Sequence, residues 1–183
     1  MKPESRKKDK NGFTLLECII AMAVLSFGIL SLVSVFTQGL KNSSQAQIQF
    51  IAQQKAREAM ETIFTARNTQ VLTWPQIRNV SQGGVFNDGP QSLCDPGPDG
   101  LFGTADDNCA IQEMIVVGPG PDNIFGTSDD KTIPLNPWMT RTITFTPDPN
   151  LTTNLFHIQV TITWTYEGQV SSYSISSYIS TYS

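Results

Sequence analysis

The sequence predicts an α+β fold in which a long N-terminal α-helix packs on a C-terminal antiparallel β-sheet. The helix is predicted by an apolar run over residues 13–36 that continues into an amphipathic stretch, and the sheet by alternating segments on either side of Glu167-Gly168. Apolar residues repeat every three or four positions in a helix and every two in a strand. We divide the chain into a basic N-terminal segment (1–12), the apolar and amphipathic halves of the helix (13–39 and 40–67) and a globular domain (68–183).

The apolar run is long enough to cross a membrane. Glu17 is the one charged residue among the 24 from Phe13 to Phe36, and about 20 residues span the hydrocarbon core of a bilayer. Five basic residues precede the run against two acidic ones, which predicts a cytoplasmic N-terminus and an exported C-terminal side. A secretory signal peptide would have a shorter run with an A-x-A-like site close behind it. An ordinary anchor would not need Glu17, whose burial in lipid is costly.

Residues 12–17, Gly-Phe-Thr-Leu-Leu-Glu, resemble the prepilin processing site of type IV pilins and type II secretion pseudopilins. In these families a membrane-embedded aspartyl peptidase, the prepilin peptidase, cuts after the glycine and methylates the new N-terminus. The resemblance implies cleavage between Gly12 and Phe13, which removes the basic leader and retains the helix. It also implies that Glu17 pairs with the N-terminal amine of a neighbouring subunit during assembly. Each of these charges is costly alone in a low-dielectric layer, and the two attract strongly there.

The following residues narrow the resemblance to one subtype. The segment AMAVLSFGILSLVSVFTQGL, residues 21–40, resembles the start of PilV-type minor pilins. Many major pilins have a proline about 22 residues into the mature chain, but here Ser34 stands at that position, so a proline kink is not carried over. The resemblance covers residues 10–65 and implies a pilin-like fold. It also implies a place in the inner membrane before assembly and in an extracellular filament afterwards, with other major and minor pilins as partners.

Charge and composition exclude other classes of function. The leader holds five of the 12 basic and two of the 16 acidic residues, so the mature chain would have 7 basic against 14 acidic residues. This acidic balance without a basic cluster argues against nucleic-acid binding. The chain has one histidine, His157, and no nucleophile elbow, phosphate-binding loop or metal-spaced histidine cluster. We therefore expect no enzymatic activity.

Cys94 and Cys109 flank 14 residues on the exported side and are predicted to form a disulfide, because exported compartments are oxidising. A loop of this size gains roughly 3 kcal/mol in the chain-entropy model. A zinc site is the alternative, but it needs three or four ligands, and His157 is far away in sequence. Cys18 lies in the apolar helix and is expected to serve only in packing.

The amphipathic half of the helix shows a single apolar face, and Trp74-Pro75 is expected to end the helical region. The residues of that face are Ile48, Ile51, Ala52, Ala56, Ala59, Met60, Ile63 and Phe64. The C-terminal segments alternate, with Ile158, Val160, Ile162, Trp164 and Tyr166 on one side and a tight turn at Glu167-Gly168. Residues 141–145 and 111–117 are further predicted strands, and His157 is expected to be a strand residue.

An internal repeat occupies the middle of the chain. The segment PGPDGLFGTADD, residues 96–107, returns as PGPDNIFGTSDD, residues 119–130, with nine of twelve positions identical. Glycine, proline and aspartate are typical of turns, so two similar surface loops are one interpretation. The repeated aspartates could also supply an all-oxygen calcium site, although the pattern is not that of an EF-hand. They resemble the Asp/Gly-rich calcium loops of exported bacterial proteins, and the predicted ligands are Asp99, Asp106, Asp107, Asp122, Asp129 and Asp130.

Three functional hypotheses follow from these observations. The first is a minor pilin, a structural subunit that primes or caps a type IV pilus. The second, in the same class, is a pseudopilin of a type II secretion system. The third is a calcium-dependent adhesin at the tip of a fibre, with the repeated loops as its contact surface.

Overall fold

The computed structural model describes residues 14–135, 138–148 and 154–181. By its contacts the chain separates into two compact units, Met1–Ala46 and Gln47–Ser183. One helix, α1 (Leu15–Asn68), begins in the first unit and ends in the second. Its first turn is capped by Thr14, whose hydroxyl accepts a hydrogen bond from the Glu17 main-chain N–H at 3.2 Å. Thr-x-x-Glu is the sequence of a helix capping box, and a carboxylate in the first turn also suits the helix dipole.

In the first unit, α1 has all of its side chains exposed from Leu15 to Ala46, and it is predominantly apolar as far as Phe36. This part of α1 is long and apolar enough to cross a membrane, as judged by length and composition alone. Glu17 lies in the first turn, and Cys18 is an exposed free thiol. The proposed cleavage point, Gly12 and Phe13, lies outside the described residues together with the basic leader.

In the second unit, α1 buries one face against the rest of the domain. Three alanines on this face, Ala52, Ala56 and Ala59, are fully buried, and such small side chains let neighbouring elements approach the helix closely. The other buried residues of the helix are Ile51, Met60, Ile63 and Ala66. The predicted face is therefore confirmed, with Ile48 and Phe64 half-buried at its border.

After α1 the chain makes two short 3₁₀ turns, Trp74–Gln76 and Val80–Gln82. Between them lies Asn79, a buried side chain that holds this segment on the sheet. Its amide donates to the Ile143 carbonyl at 2.8 Å, and its carbonyl accepts from the Phe145 N–H at 3.0 Å. The helix ends at Asn68, one residue beyond the predicted end, and Trp74-Pro75 lies in the first of the short turns.

The described residues contain eight strands, four in one antiparallel sheet and four in two separate hairpins. The strands of the sheet are β1 (Gln91–Ser92), β6 (Met139–Pro147), β7 (Leu155–Tyr166) and β8 (Gln169–Ser180), in the order β1-β6-β7-β8. The hairpin strands are β2 (Cys94–Asp95) paired with β3 (Asn108–Gln112), and β4 (Met114–Gly118) paired with β5 (Lys131–Pro134). The predicted α+β fold is confirmed.

The C-terminal hairpin follows the predicted alternation. Glu167 and Gly168 both have positive φ, 48° and 78°, the conformation that two-residue hairpin turns require. The inward side chains of β7 from Ile158 to Trp164 are buried, and Tyr166 is half-buried. His157 lies on β7, with its ring 5.1 Å from that of Tyr178 on β8.

One predicted strand is wrong. Residues 111–117 do not form a single strand, because Glu113 interrupts them between β3 and β4. Its main chain bonds elsewhere, with its N–H donating to the Leu93 carbonyl at 3.1 Å and its carbonyl accepting from the Leu135 N–H at 2.9 Å. The Glu113 side chain turns inward to pair with Arg141, and this pairing is the physical reason for the break.

Candidate functional site

The two repeated segments form equivalent hairpin tips. Loop A, residues 96–107, joins β2 to β3, and loop B, residues 119–130, joins β4 to β5; with their strands we call them hairpin A and hairpin B. The predicted disulfide is confirmed, since Cys94 and Cys109 are bonded across hairpin A with their Cα atoms 4.7 Å apart. At the repeat offset, the corresponding residues of hairpin B are Val117 and Thr132, which cannot form such a bond.

Each loop uses its three aspartates in the same way. The first accepts a hydrogen bond from the main-chain N–H two residues ahead, the second from a threonine hydroxyl two residues back, and the third from a glycine N–H four residues back. In loop A the donors are Leu101 to Asp99 (2.8 Å), Thr104 to Asp106 (2.7 Å) and Gly103 to Asp107 (2.8 Å). In loop B they are Ile124 to Asp122 (2.9 Å), Thr127 to Asp129 (2.6 Å) and Gly126 to Asp130 (2.7 Å).

The loop glycines are required by the same geometry. A Cβ on Gly97 or Gly120 would overlap the main chain and carboxylate of the second aspartate, Asp106 or Asp129. The two loops differ most where loop A has Gly100 and loop B has Asn123, and the backbone conformation at this position suits both residue types. Gly100 has φ +69° and Asn123 has φ +57°, and asparagine tolerates the left-handed region better than most side chains. The loop glycines and the hydrogen bonds of the repeated aspartates therefore both determine the shape of the turn.

The second aspartate of each loop is held in its ionised form. The threonine hydroxyl beside it lowers the pKa of Asp106 in loop A and of Asp129 in loop B. A carboxyl whose pKa in the folded chain lies below the ordinary value of 3.8 stabilises the fold when the pH is above 3.8. This contribution to stability is lost as the pH falls through the lowered pKa.

The other shifts in loop A have the opposite sign. Burial raises the pKa of Asp99, and the charge of Asp106 adds to this effect. Burial also raises the pKa of Asp107. These two groups make their full contribution to stability when the pH is below 3.8, the ordinary pKa of the carboxyl. The contribution is lost as the pH rises through the raised pKa. Burial in loop A therefore opposes ionisation of the first and third aspartates.

The aspartates do not converge on one point. Within the described parts of the chain, no three His, Cys, Asp or Glu side chains are grouped so that they could hold a metal ion. The Asp130 Oδ1 atom is buried and has no hydrogen-bond partner. The equivalent oxygen of Asp107 lies 3.2 Å from the Thr104 hydroxyl. Calcium binding stays a prediction, with loop B as the place where a carboxylate oxygen is available.

A buried ion-pair network lies beside loop A. Glu113 Oε1 is 2.6 Å from Arg141 Nη2, and Glu113 Oε2 is 2.9 Å from Lys55 Nζ on α1. Lys55 also pairs with the exposed Glu58 at 2.8 Å. Burial lowers the pKa of Lys55, but the hydrogen bonds and charges of the two glutamates outweigh it, so this pKa lies above 10.5. The guanidinium of Arg141 covers the Phe102 ring of loop A at 4.2 Å from its centroid.

Sequence reasoning missed this network. Lys55, Glu113 and Arg141 are far apart along the chain, and no motif joins them. The available indication was the single acidic residue inside the otherwise uncharged stretch 109–117. The network connects the helix, the residue between the two hairpins and the sheet, so it holds these three parts of the domain together.

Comparison with known proteins gives one match. The family model described as "Prokaryotic N-terminal methylation motif" matches residues 7–33. This segment contains Gly12, Phe13 and Glu17, the residues of the predicted processing and assembly site. No curated protein and no solved structure matches the chain. The match and the apolar helix together support a type IV pilin-like or pseudopilin-like prepilin, processed by prepilin peptidase and suited to anchoring in a membrane before assembly with other pilins.

Proposed function

We propose that this chain is a minor pilin, a structural subunit that primes or caps a type IV pilus. The observation that supports this most is the matched methylation motif at the start of a helix whose first half is apolar and exposed. Such a surface must be covered by lipid before assembly and by other helices within a filament. The segment that follows Glu17 resembles PilV-type minor pilins. A type II secretion pseudopilin is the alternative within the same class.

Processing is the first test of the proposal. Replacing Gly12 by valine should leave a full-length precursor, because the peptidase needs a small residue at the cut. Replacing Gly12 by alanine is the matched control and should leave most of the chain processed. N-terminal sequencing and intact mass of the unsubstituted protein should show a methylated chain that begins at Phe13. A mature protein that begins at another residue would contradict the prepilin assignment.

The place of assembly separates the two alternatives within this class. A minor pilin should be found in sheared and purified pili as a small fraction of the major subunit, and its loss should reduce pilus number. A pseudopilin should be absent from such pili, and its loss should instead retain secreted enzymes in the periplasm. The first outcome is measured by quantitative mass spectrometry of pili from the parent strain, and the second by comparing pilus number and secreted enzymes between the parent and a deletion strain.

A calcium-dependent adhesin is a second candidate function. It is favoured by the unpartnered Oδ1 atom of Asp130, since a buried carboxylate oxygen without a donor is a ready ligand for a hard cation. In this proposal calcium completes loop B and fixes its contact surface at the tip of a fibre. Loss of surface attachment without loss of pili would support it.

Calcium should raise the melting temperature of the full chain in detergent. An ion that binds only the folded form stabilises it by about 2.7 kcal/mol at a hundredfold excess over its dissociation constant. The test compares millimolar calcium with chelator, and sodium chloride at matched ionic strength controls for screening. Asp130→Asn, which keeps the side-chain shape, should remove most of the calcium effect, and the matched Asp107→Asn should remove less. A calcium effect no larger than that of sodium chloride would leave both loops as ordinary turns.

A further inference from the structure

The two loops have nearly the same sequence and hydrogen bonds but opposite exposure. In loop A, Leu101 and Phe102 are 2% and 5% exposed. At the equivalent positions of loop B, Ile124 and Phe125 are 60% and 66% exposed. The aspartates and glycines already determine the shape of the turn. The shape of the turn therefore does not explain why loop B exposes two adjacent large apolar side chains.

The burial of loop A shows how a loop of this shape docks. Its aromatic ring lies under the guanidinium of Arg141. The Asn87 main-chain N–H donates to the Gly103 carbonyl at 2.7 Å, and the Asn87 side-chain amide donates to the Thr104 carbonyl at 2.8 Å. The docking surface for loop A therefore combines an apolar pocket, a cation over the aromatic ring and amide donors to the turn carbonyls.

Loop B lacks these partners within the part of the chain that the structure describes. No cation lies over the Phe125 ring, and no donor from another segment reaches the Gly126 carbonyl, whereas the corresponding groups of loop A are all engaged. The strands below the loop add further exposed apolar side chains, which are Met114, Val116, Val117 and Ile133. An accumulation of exposed apolar side chains on one hairpin is typical of an interaction surface.

We propose that loop B is a docking element for a partner protein whose surface has an apolar pocket bordered by arginine or lysine. The internal copy supplies the chemistry, because loop A has the same backbone turn and is held in such a pocket by Arg141. Charge complementarity supports the same partner, since Asp122, Asp129 and Asp130 lie in the same loop as the apolar pair and would repel an acidic surface. Ile124 and Phe125 enter the pocket, and the carboxylates face its basic border. This inference goes beyond the proposed function and does not depend on which filament the chain joins.

The first test needs no partner. Phe125→Ser in the full chain should leave the melting temperature within about 2 °C of the parent, as substitutions at exposed positions usually do. The matched Phe102→Ser should lower it several times more, because that ring is buried. Equal destabilisation by the two variants would show that Phe125 is packed within its own chain and would overturn the proposal.

The second test identifies the chemistry of the partner. The full chain is produced in its own cells with the photo-crosslinker p-benzoylphenylalanine at Phe125, or at Val170, which is 70% exposed on β8, as the control. Position 125 should give a protein adduct at least several-fold above position 170, attached to an apolar segment that contains arginine or lysine. A synthetic peptide of residues 117–132, closed by cysteines at its two ends, should compete. The same peptide with Ile124→Ser and Phe125→Ser should not.

Three results would overturn the proposal. These are equal yields at the two positions, attachment to lipid or to a surface without basic residues, and an adduct that the peptide does not reduce. The N-terminus of the same sample is sequenced in parallel. A chain that begins at Phe13 and is found in filaments without a specific adduct contradicts the docking proposal alone.

Discussion

Replacing Glu113 by glutamine is expected to lower the free energy of unfolding by about 3–5 kcal/mol, which is the usual effect of removing one member of a buried ion pair. Glutamine has nearly the same volume, so the loss is electrostatic. The variant leaves Arg141, whose side chain is 2% exposed, and Lys55 close together without their shared carboxylate. Glutamine can still accept one hydrogen bond, but it cannot balance two cations.

Glu58→Gln is the matched control for this experiment. Glu58 pairs with the same Lys55, but its side chain is 46% exposed, so its substitution should change the free energy by less than about 1 kcal/mol. Thermal unfolding of the full chain in detergent, followed by tryptophan fluorescence, should show a decrease on the order of 10 °C for Glu113→Gln. Similar small decreases for both variants would mean that water reaches the Glu113 carboxylate and that the network does not stabilise the domain.

The long helix and the C-terminal hairpin could be predicted because their patterns are local and repeated. The buried face of α1 recurs over several turns, and β7 alternates without interruption from Ile158 to Trp164. Such periodicities are retained in the folded domain, because each repeated apolar residue lies on the same buried face. The disulfide could be predicted from the number of exported cysteines and their compartment.

The features that could not be predicted depend on contacts between distant segments. Glu113 breaks a strand pattern because Arg141 and Lys55 lie beside it, and neither lies near it in sequence. The different burial of the two loops is a clearer case. Twelve-residue segments with nine identities differ in exposure because Arg141 and Asn87 flank loop A, and nothing within the loop sequences specifies this.

The repeated aspartates show the limit of reading chemistry from a pattern. Their recurrence suggested ligands, since turn residues alone need not repeat in type and place. The structure gives each of them a hydrogen bond to its own loop, so that turn geometry is sufficient to explain the repeat. Among the aspartate oxygens of the two loops, the one that is buried without a hydrogen-bond partner is Asp130 Oδ1, and the calcium proposal now depends on that atom.

Replacing Glu17 by valine is expected to give a chain that is inserted and cut but not built into filaments. Insertion should be as efficient as in the parent or better, because a lone carboxylate opposes entry into lipid. In the proposed assembly step this carboxylate pairs with the N-terminal amine of the neighbouring subunit, where both charges are shielded from water. Losing about 3 kcal/mol from such a contact lowers its equilibrium constant by more than about a hundredfold. Cell fractionation with N-terminal sequencing and quantification of the protein in sheared filaments measures both steps.

The structure adds a competing role for Glu17 that further substitutions can separate. Thr14 caps the Glu17 N–H, so the glutamate could act by starting the helix rather than by its charge. Glu17→Gln keeps the length and hydrogen-bonding groups of a capping box without the charge. Thr14→Val removes the cap and leaves the charge. If pairing with the amine is the function, Glu17→Gln should fail to assemble as Glu17→Val does, while Thr14→Val should assemble near the parent level. Normal assembly of Glu17→Gln together with failure of Thr14→Val would assign Glu17 to helix initiation and remove the amine pair from the mechanism.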